Sequence, residues 1–425
     1  MSLAQPVTFK HSGLTAPTPT LKSAMTERLC TYDDADLGAR GKTTPEYNRL
    51  YEEWGKGKIG VIVLGNIPID REGLEAKKNA IIDARSPFDP VENLKPAIAA
   101  AKAHGSLVIG QLTHGGRQTS EEITKTPVSS SDVQCPPMGG MTFAKPRPLT
   151  VEEIDQLVTA WGYGAEVLYK AGAHGAQLHG AHGYLLSQFL SGRVNRRTDD
   201  YGGSLENRYR IIDRVFKEIR RRVPDEKFML SIKLNSQDFA EKGLTNEESK
   251  QVCLWLDEAG VDLLEISGGS YESMGTAWSH QKESTRKREA YFIEFSAAVK
   301  DSGIKSAKVC VTGGFRSKKA MEEALGTGAC DLVGLARPLT AEPYLIRDML
   351  EGKTDAAREN KFAAGMQTGA SIVQIAAISK GEPIPDLSDE KVCDEVLAIL
   401  QGGADQKKPV SEQDTSNYQK SENKL

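Results

Sequence analysis

The chain has 425 residues, enough for one large barrel with extensions or for two medium domains. Its 54 lysines and arginines are offset by 58 acidic residues, and the net charge of −4 gives no basic excess that would favour a nucleic acid or a membrane surface as partner. With neither an N-terminal export signal nor an apolar stretch of about 18 residues, we expect a cytoplasmic protein that binds a small molecule.

Short apolar segments of buried-strand character alternate with longer segments of helical period, which predicts a parallel sheet with crossover helices. The predicted strands are Thr20–Thr26, Ile59–Ile67, Ser106–His114, Gly175–Ala181, Phe228–Asn235, Asp262–Gly269, Lys308–Gly314 and Cys330–Arg337. The predicted helices are Val91–His104, Val151–Ala171, Ser204–Arg222, Thr245–Ala259, Arg288–Asp301, Ser317–Leu325 and Ala341–Leu350. Eight such units predict an α/β fold, a closed (β/α)8 TIM barrel over residues 20–355.

Other parts of the chain frame this barrel. Residues 1–19 are predicted to form an N-terminal arm, 356–402 a C-terminal helical extension and 403–425, which is nearly free of apolar residues, a disordered tail. Long loops are predicted after the third strand (Gln118–Pro148) and the sixth (Ser270–Lys287), where barrels keep substrate elements. An open doubly wound sheet is the competing fold, but its glycine-rich dinucleotide turn is missing.

Polar residues and glycines interrupt the predicted strands mainly at their carboxyl ends, which converge on one face of a barrel. These residues are Thr26, Gly65, Gln111, His114, His179, His182, Lys233, Gly313, Gly314 and Arg337. The segments VTGGF and VGLARPL follow the seventh and eighth strands. Their glycine backbone N–H groups, together with Arg337, suit a phosphate, although the glycines could serve only in tight turns.

The segment HGAHGYL (His179–Leu185) combines two histidines with Tyr184 and has three interpretations. A zinc site lacks a third ligand, since His114 is the one other candidate and the six cysteines are scattered. The histidines could be ordinary buried residues. Alternatively, both imidazoles donate hydrogen bonds to a substrate oxygen while Tyr184 gives a proton. The spacing leaves the last two open.

The segment NRRTDDYGGSLENR (Asn195–Arg208) is dense in charged and turn-forming residues. We interpret it as a loop that is held by its own hydrogen bonds and supports the histidine–tyrosine segment, with Ser204 capping the helix that follows. A solvated run of charges is the alternative.

Together these residues resemble the Old Yellow Enzyme family of FMN-dependent NAD(P)H:flavin oxidoreductases and ene-reductases. The resemblance covers most of the chain and rests on KSAMTERL (Lys22–Leu29), QLTHGGR (Gln111–Arg117), HGAHGYLLSQFLSGRVNRRTDDYGGSLENR (His179–Arg208), VTGGFRS (Val311–Ser317) and GLARP (Gly334–Pro338). It implies a stand-alone barrel with FMN across its carboxyl-end mouth. NADH or NADPH would reduce the flavin in the pocket that the acceptor later enters.

The resemblance also implies residue roles. FMN would be bound by Ala24, Met25, Thr26, Gly65, Gln111, Lys233, Gly313, Gly314, Ala336 and Arg337. Lys233 would lie beside flavin N1 and O2, where many relatives carry arginine. His179 and His182 would bind the oxygen of an α,β-unsaturated acceptor, and Tyr184 would protonate its alpha carbon after flavin N5 delivers hydride to the beta carbon. No metal is expected.

Two other functions are weighed against this one. A barrel with a phosphorylated ligand could be an isomerase or aldolase, for which Lys233 is the suitably placed Schiff-base lysine. A non-catalytic flavin-binding barrel is the second alternative. The C-terminal extension could pack on a neighbour in a homo-oligomer. The final Asn423, Lys424 and Leu425 resemble a degenerate Ser-Lys-Leu address, which makes the peroxisome the alternative location.

Overall fold

A computed structural model describes residues 2–238, 240–268, 293–362 and 366–405, with only the backbone at 403–405. Within these residues, eight parallel strands close into one barrel. They are β1 (Thr20–Lys22), β2 (Val61–Pro68), β3 (Leu107–Thr113), β4 (Gly175–Gly180), β5 (Met229–Asn235), β6 (Leu263–Ser267), β7 (Lys308–Thr312) and β8 (Leu332–Leu335). Because β8 pairs with β1, the predicted TIM barrel is confirmed and the open sheet is wrong.

Helices cover the outside of the barrel and extend beyond β8. They are α1 (Pro45–Gly55), α2 (Pro90–Lys102), α3 (Val151–Lys170), α4 (Leu185–Leu190), α5 (Leu205–Arg222), α6 (Asn246–Glu258), α7 (293–301), α8 (Lys318–Gly326), α9 (Pro338–Ala341), α10 (Leu345–Leu350), α11 (Gln367–Lys380) and α12 (Glu390–Asp405). Capping boxes start α3, at Thr150 and Glu153, and α6, at Thr245 and Glu248. No helix in the described ranges is long and apolar enough to cross a bilayer.

The N-terminal arm closes the amino end of the barrel. Val7–Thr8 pairs with Thr15–Ala16 in a small hairpin, and Phe9 is buried beside it. These residues pack against inward-facing apolar side chains near the strand starts, including Leu21, Val61, Leu107, Met229, Leu263 and Leu332. The backbone N–H of Ser12 also donates to Asp262 Oδ1 at 2.9 Å. An apolar floor therefore separates the amino end from the polar interior above it.

The C-terminal extension is attached to the barrel at the corner after β8. Helix α11 packs against α1 and α9. Thr340 Oγ1 donates to Gln374 Oε1 at 2.8 Å, and Gln374 Nε2 donates to the Pro385 carbonyl at 2.9 Å. These buried hydrogen bonds fix α11 to the barrel.

Several predicted boundaries differ from those in the structure. Strand β1 ends at Lys22 rather than Thr26, because the chain then turns over the mouth and Met25 N–H bonds the Gly65 carbonyl at 2.7 Å. Pro343 separates α9 from α10, where one helix was predicted. Helix α12 reaches Asp405, into the predicted tail.

Other predictions cannot be compared along their whole length. The loop Ser270–Lys287, the start of the helix Arg288–Asp301, Gly269, and residues 406–425 with the terminal tripeptide lie outside the described residues.

Candidate functional site

Polar residues from neighbouring strands meet at the carboxyl-end mouth of the barrel. In the β4–β5 ladder His179 lies opposite Lys233, and in the β5–β6 ladder Lys233 lies opposite Glu265 and Asn235 opposite Ser267. Since alternate residues of a strand face the same side, these side chains share the barrel interior. Strand register alone therefore places His179 and Lys233 together.

The two histidines and Tyr184 form one aromatic cluster. The ring centroids of His179 and Tyr184 are 4.6 Å apart, and those of His179 and His182 are 5.2 Å apart. His182 adopts the left-handed backbone conformation, with φ of +60°, and its N–H donates to Asn235 Oδ1 at 3.1 Å. This turn returns the chain to the mouth before Tyr184 begins α4. The three side chains therefore lie close enough together to contact the same group of a ligand.

Both imidazoles of this cluster are neutral at pH 7. Burial lowers the pKa of His182 to about 3, with Lys233 adding to the effect. Burial, with His182 and Lys233 nearby, holds the pKa of His179 well below its ordinary value. His179 Nδ1 accepts the Ala181 N–H at 3.3 Å, which leaves Nε2 as its donor, whereas His182 Nε2 lies 2.9 Å from Ser267 Oγ.

The neutral histidines predict a loss of stability in weak acid. A histidine in the unfolded chain binds a proton as the pH falls through about 6.5. In the folded chain, His182 binds one only when the pH approaches its lowered pKa of about 3. The unfolded state then binds protons that the folded state excludes, so the free energy of unfolding falls as the pH falls from 6.5 toward about 3. For His182, the loss between pH 7 and pH 5 is about 2 kcal/mol.

Urea unfolding at pH 7 and pH 5 measures this effect. We expect the double variant His179→Ala/His182→Ala to lose less stability between these pH values than the unchanged protein, although it is less stable at pH 7 because of the cavities. His104 is exposed, and His104→Ala is the matched control that keeps the original pH dependence. The same pH dependence in the double variant would contradict the expectation.

A network of buried polar side chains lies below the mouth and includes residues that the sequence did not single out. Glu265 Oε1 accepts from Ser23 Oγ at 2.6 Å and lies 3.1 Å from Lys233 Nζ. Gln177 Nε2 donates to Glu265 Oε2 at 2.9 Å, and Gln177 Oε1 accepts from Gln111 Nε2 at 2.7 Å. The network joins Gln111 to Lys233. A lone acidic residue within the apolar strand LLEIS was the available signal for Glu265.

Gly65 forms one wall of the mouth. Its φ is +88°, and the register of β2 shifts between Leu64 and Ile67, which marks a bulge. The Gly65 N–H donates to Tyr51 Oη at 2.8 Å and to Glu27 Oε1 at 3.1 Å, both outside the barrel wall. This N–H group is therefore not available to a ligand, and a Cβ on the buried Gly65 would lie 2.7 Å from Ile67, so the bulge itself requires glycine.

The segment after β1 carries the predicted residues Ala24, Met25 and Thr26, all half-buried. Thr26 Oγ1 donates to Glu75 Oε2 at 2.7 Å. No local pattern points to this half-buried carboxylate, because Glu75 belongs to the irregular connection after β2. It holds the Thr26 hydroxyl in place beside the mouth.

The two glycine loops lie side by side because β7 pairs with β8. Gly313 and Gly314 have φ of +148° and +80°, conformations that suit glycine. A Cβ on Gly334 would lie 1.9 Å from Thr312 Oγ1, so only glycine lets these strands approach this closely. Ala336 is half-buried, and the exposed Arg337 donates from Nη1 to Gln367 Oε1 at 2.6 Å. Helix α11 thus helps to orient the guanidinium.

Gln188 connects the loops that surround Tyr184, although the sequence did not identify it as a site residue. Its Oε1 accepts from Ser129 Oγ at 2.8 Å and Arg117 N–H at 3.2 Å. Its Nε2 donates to the carbonyls of Gly183 at 2.7 Å and Gly115 at 3.2 Å. Gln188 is almost fully buried. It therefore fixes three separate segments around the mouth.

The long loop after β3 covers Tyr184. Cys135, Phe143 and Tyr184 form a small buried cluster, and Met138 and Met141 pack against it. Within this predicted loop, Val128–Ser129 and Arg147–Pro148 form a short parallel pair. The loop gives the phenol an apolar cover.

His114 is not part of the histidine pair. Its Nδ1 accepts the Gly116 N–H at 3.0 Å, and burial lowers its pKa. A Cβ on Gly73 would lie 2.4 Å from His114 Nε2, so the ring is packed against the connection after β2. Among the described residues, no group of three histidine, cysteine or carboxylate side chains could hold a metal ion.

The segment Asn195–Arg208 forms hydrogen bonds to its own backbone and to neighbouring loops. Asn195 Nδ2 donates to the carbonyls of Phe189 at 2.8 Å and Tyr201 at 2.7 Å. Arg208 donates to the Leu190 carbonyl and forms an ion pair with Glu248. These contacts support α4, directly after Tyr184, as a structural loop would.

The chain is similar to known flavin oxidoreductases over most of its length. The model of the NADH:flavin oxidoreductase / NADH oxidase family matches residues 6–356. An NADH-dependent flavin oxidoreductase, nadA of Aspergillus parasiticus, is 38% identical over 410 residues, which cover 94% of this chain and 90% of that protein. The chain belongs to this NADH:flavin oxidoreductase family.

Solved structures show the same fold. An old yellow enzyme homologue from Zymomonas mobilis has a TM-score of 0.69 at 21% identity, with 84% of this chain and 95% of that chain covered. A 2-naphthoyl-CoA reductase in complex with 2-naphthoyl-CoA has a TM-score of 0.77 at 24% identity, covering 93% of this chain and 58% of that chain. The chain therefore spans little more than half of the second structure. The resemblance to the Old Yellow Enzyme family is confirmed.

Membership of the NADH:flavin oxidoreductase family makes the chain an FMN-dependent oxidoreductase with a nicotinamide nucleotide as reductant. The mouth has groups that fit FMN. The β7 and β8 loops offer glycine backbone and the Arg337 guanidinium, which suit a phosphate. Gln111 and Lys233 offer an amide and an ammonium, which suit a polar heterocycle. The mouth therefore has donors that suit the phosphate of FMN and other donors that suit its ring.

Proposed function

We propose that this flavin oxidoreductase reduces activated alkenes such as enones, enals and nitroalkenes. The observation that supports this function best is the cluster of two neutral imidazoles and one phenol, with ring centroids 5.2 Å and 4.6 Å from His179. Neutral imidazoles donate hydrogen bonds without carrying a charge into the site. An acceptor carbonyl or nitro group needs such donors, because electron withdrawal prepares its beta carbon for hydride.

The ten residues that the family resemblance implies are our proposal for the FMN site. They are Ala24, Met25, Thr26, Gly65, Gln111, Lys233, Gly313, Gly314, Ala336 and Arg337. When bound, FMN supplies the hydride that it has taken from NADH or NADPH. Lys233 places positive charge near the ring.

The two histidines and Tyr184 of the cluster have different roles in the reaction. His179 Nε2 donates to the acceptor oxygen, since its Nδ1 is held by the Ala181 N–H. His182 Nε2, which contacts Ser267 Oγ, also donates to the acceptor oxygen, either in place of Ser267 or together with it. Tyr184, under its apolar cover, gives its phenol proton to the alpha carbon. The cover of Phe143 and the methionines reduces the access of competing water.

The two alternative functions have less support. Lys233 Nζ donates to Ser23 Oγ at 2.6 Å and is paired with Glu265, whereas a Schiff-base lysine must offer a free amine. A barrel that only bound flavin would not need a proton donor such as Tyr184 beside a pair of neutral histidines.

Anaerobic spectroscopy tests the proposed function. The purified protein should absorb near 450 nm, lose this band with NADH or NADPH, and recover it when cyclohexenone or a nitroalkene is added. The saturated product should appear in an amount equal to the nicotinamide oxidised. A reduced protein that recovers its colour with oxygen but with no activated alkene would overturn the proposal.

A phenol should bind to the same pair of histidines, because its oxygen imitates the polarised acceptor oxygen. We expect His179→Ala/His182→Ala to weaken phenol binding by about tenfold or more, since it removes both donors. A titration that follows the flavin band measures this. His174 is a half-buried histidine that lies just before β4 and accepts the Val108 N–H at 2.9 Å, so His174→Ala is the matched control and should bind phenol normally. Equal affinity in the double variant would refute the anchoring role.

A further inference from the structure

Glu265 is a fully buried carboxylate in the barrel interior, and every partner that the structure gives it is a donor. Oε1 accepts from Ser23 Oγ at 2.6 Å and Thr312 Oγ1 at 2.7 Å, and Lys233 Nζ lies 3.1 Å away. Oε2 accepts from Gln177 Nε2 at 2.9 Å. Burial raises the pKa of this carboxyl, but Lys233 and the hydrogen bonds outweigh burial and hold the pKa below its ordinary value. Glu265 is therefore ionised.

An ionised carboxylate can only accept hydrogen bonds, and this sets the orientation of the amides above it. The NH2 group of Gln177 must face Glu265, so its oxygen faces away and accepts from Gln111 Nε2 at 2.7 Å. The Gln111 amide is thereby turned so that its nitrogen faces the network. Ser231 Oγ, which donates to the Leu263 carbonyl, also accepts from Gln177 Nε2 at 3.2 Å, so Glu265 and Ser231 hold the orientation of this amide together.

Glu265 also offsets the charge of Lys233. The two side chains are 5% or less exposed, so water screens their interaction weakly. A lone ammonium beside a flavin would favour the electron-rich reduced form, but an ion pair presents a smaller net charge to the ring. The pair therefore weakens the effect that Lys233 would have alone.

We propose that Glu265 is a positioning residue that orients Gln111 and moderates Lys233, and so makes the bound flavin harder to reduce than Lys233 alone would make it. The proposal rests on the proposed placement of FMN beside Gln111 and Lys233. It assigns Glu265 no contact with the acceptor.

The variant Glu265→Gln keeps the shape of the side chain and removes its charge. We expect its preference for reduced over oxidised FMN to rise about tenfold, which is about 30 mV in the midpoint potential of a two-electron couple. Potentiometric titration of the FMN-loaded protein measures this value without any acceptor. A potential that is unchanged or lower would overturn the proposal.

The variant Thr312→Val is the matched control. It removes a neutral hydrogen bond to the same Glu265 oxygen but leaves the charge in place. We expect a smaller change in potential than in Glu265→Gln, with some loss of melting temperature in both variants. If the two variants shifted the potential equally, Glu265 would have only a structural role and the proposal would fail.

A second comparison covers the case in which Glu265→Gln does not retain FMN. Lys233→Met should lower the potential, because the negative charge of Glu265 is then unopposed. Lys233→Met/Glu265→Gln should return it toward that of the unchanged protein, since neither charge remains buried alone. Equal potentials in these two variants would overturn the inference. A protein that shows the expected potentials but reduces no activated alkene would refute the proposed function and leave this inference standing.

Discussion

Tyr184→Phe should slow alkene reduction by about 10²- to 10⁴-fold, the usual contribution of a general acid, while reduction of the flavin by NADH or NADPH stays nearly unchanged. The phenol ring lies 4.6 Å from His179 and is 5% exposed, so the substitution keeps its packing and removes only the hydroxyl. Stopped-flow spectroscopy separates the two steps, because loss of the flavin band reports the nicotinamide and its recovery reports the alkene.

Tyr209→Phe provides the matched control for this result. Tyr209 lies on α5, is 8% exposed, and its hydroxyl has no hydrogen-bond partner among the described residues. Both steps should keep their rates in this variant. Equal rates of alkene reduction in Tyr184→Phe and the unchanged protein would show that another group supplies the proton.

Gln188→Leu should lower the free energy of unfolding by about 3 kcal/mol or more and also reduce the rate of alkene reduction at least tenfold. Leucine fills the space but leaves Ser129, the Arg117 N–H and the Gly183 carbonyl without their partner. An unsatisfied buried group costs about 1–3 kcal/mol. Chemical denaturation and steady-state rates measure the two effects, and the rate falls because the segments around Tyr184 are no longer fixed to one another.

Gln374→Leu separates the loss of stability from the loss of rate. Gln374 is also buried and loses two hydrogen bonds, to Thr340 and Pro385, but it belongs to α11 in the C-terminal extension. We expect a comparable destabilisation with a much smaller effect on alkene reduction. If both variants slowed the reaction equally at a temperature where both are folded, the special role of Gln188 would be disproved.

The barrel could be predicted from the sequence because apolar strands and amphipathic helices have local periodicities. Each predicted strand overlaps a barrel strand, since short apolar segments such as VIVLG, bounded by turn residues, are typical of buried parallel strands. The end of β1 was wrong for a nonlocal reason. Whether Ser23 to Thr26 continue the strand depends on partners in β2 and β8, which no pattern within the segment reveals.

The same limit applies to the site. His179 and Lys233 could be expected together because they end adjacent strands, and register brings them opposite one another. For Glu265 the sequence offered only a lone acidic residue in an apolar strand, and for Gln188 it offered no signal. Their importance lies in hydrogen bonds to residues far away in the chain, 242 positions for Ser23 and 59 for Ser129. The partnership of His182 with Ser267 also depends on a backbone turn with φ of +60°, which is unusual for a histidine.

The apolar floor that Val7, Phe9 and Ala16 help to form closes the amino end of the barrel, so we expect ligands to enter through the carboxyl-end mouth. Under the proposed function, a nicotinamide and an alkene would occupy the same place at this mouth and could not bind together. We therefore expect substituted-enzyme kinetics, in which each ligand leaves before the next one binds and an excess of either ligand slows turnover.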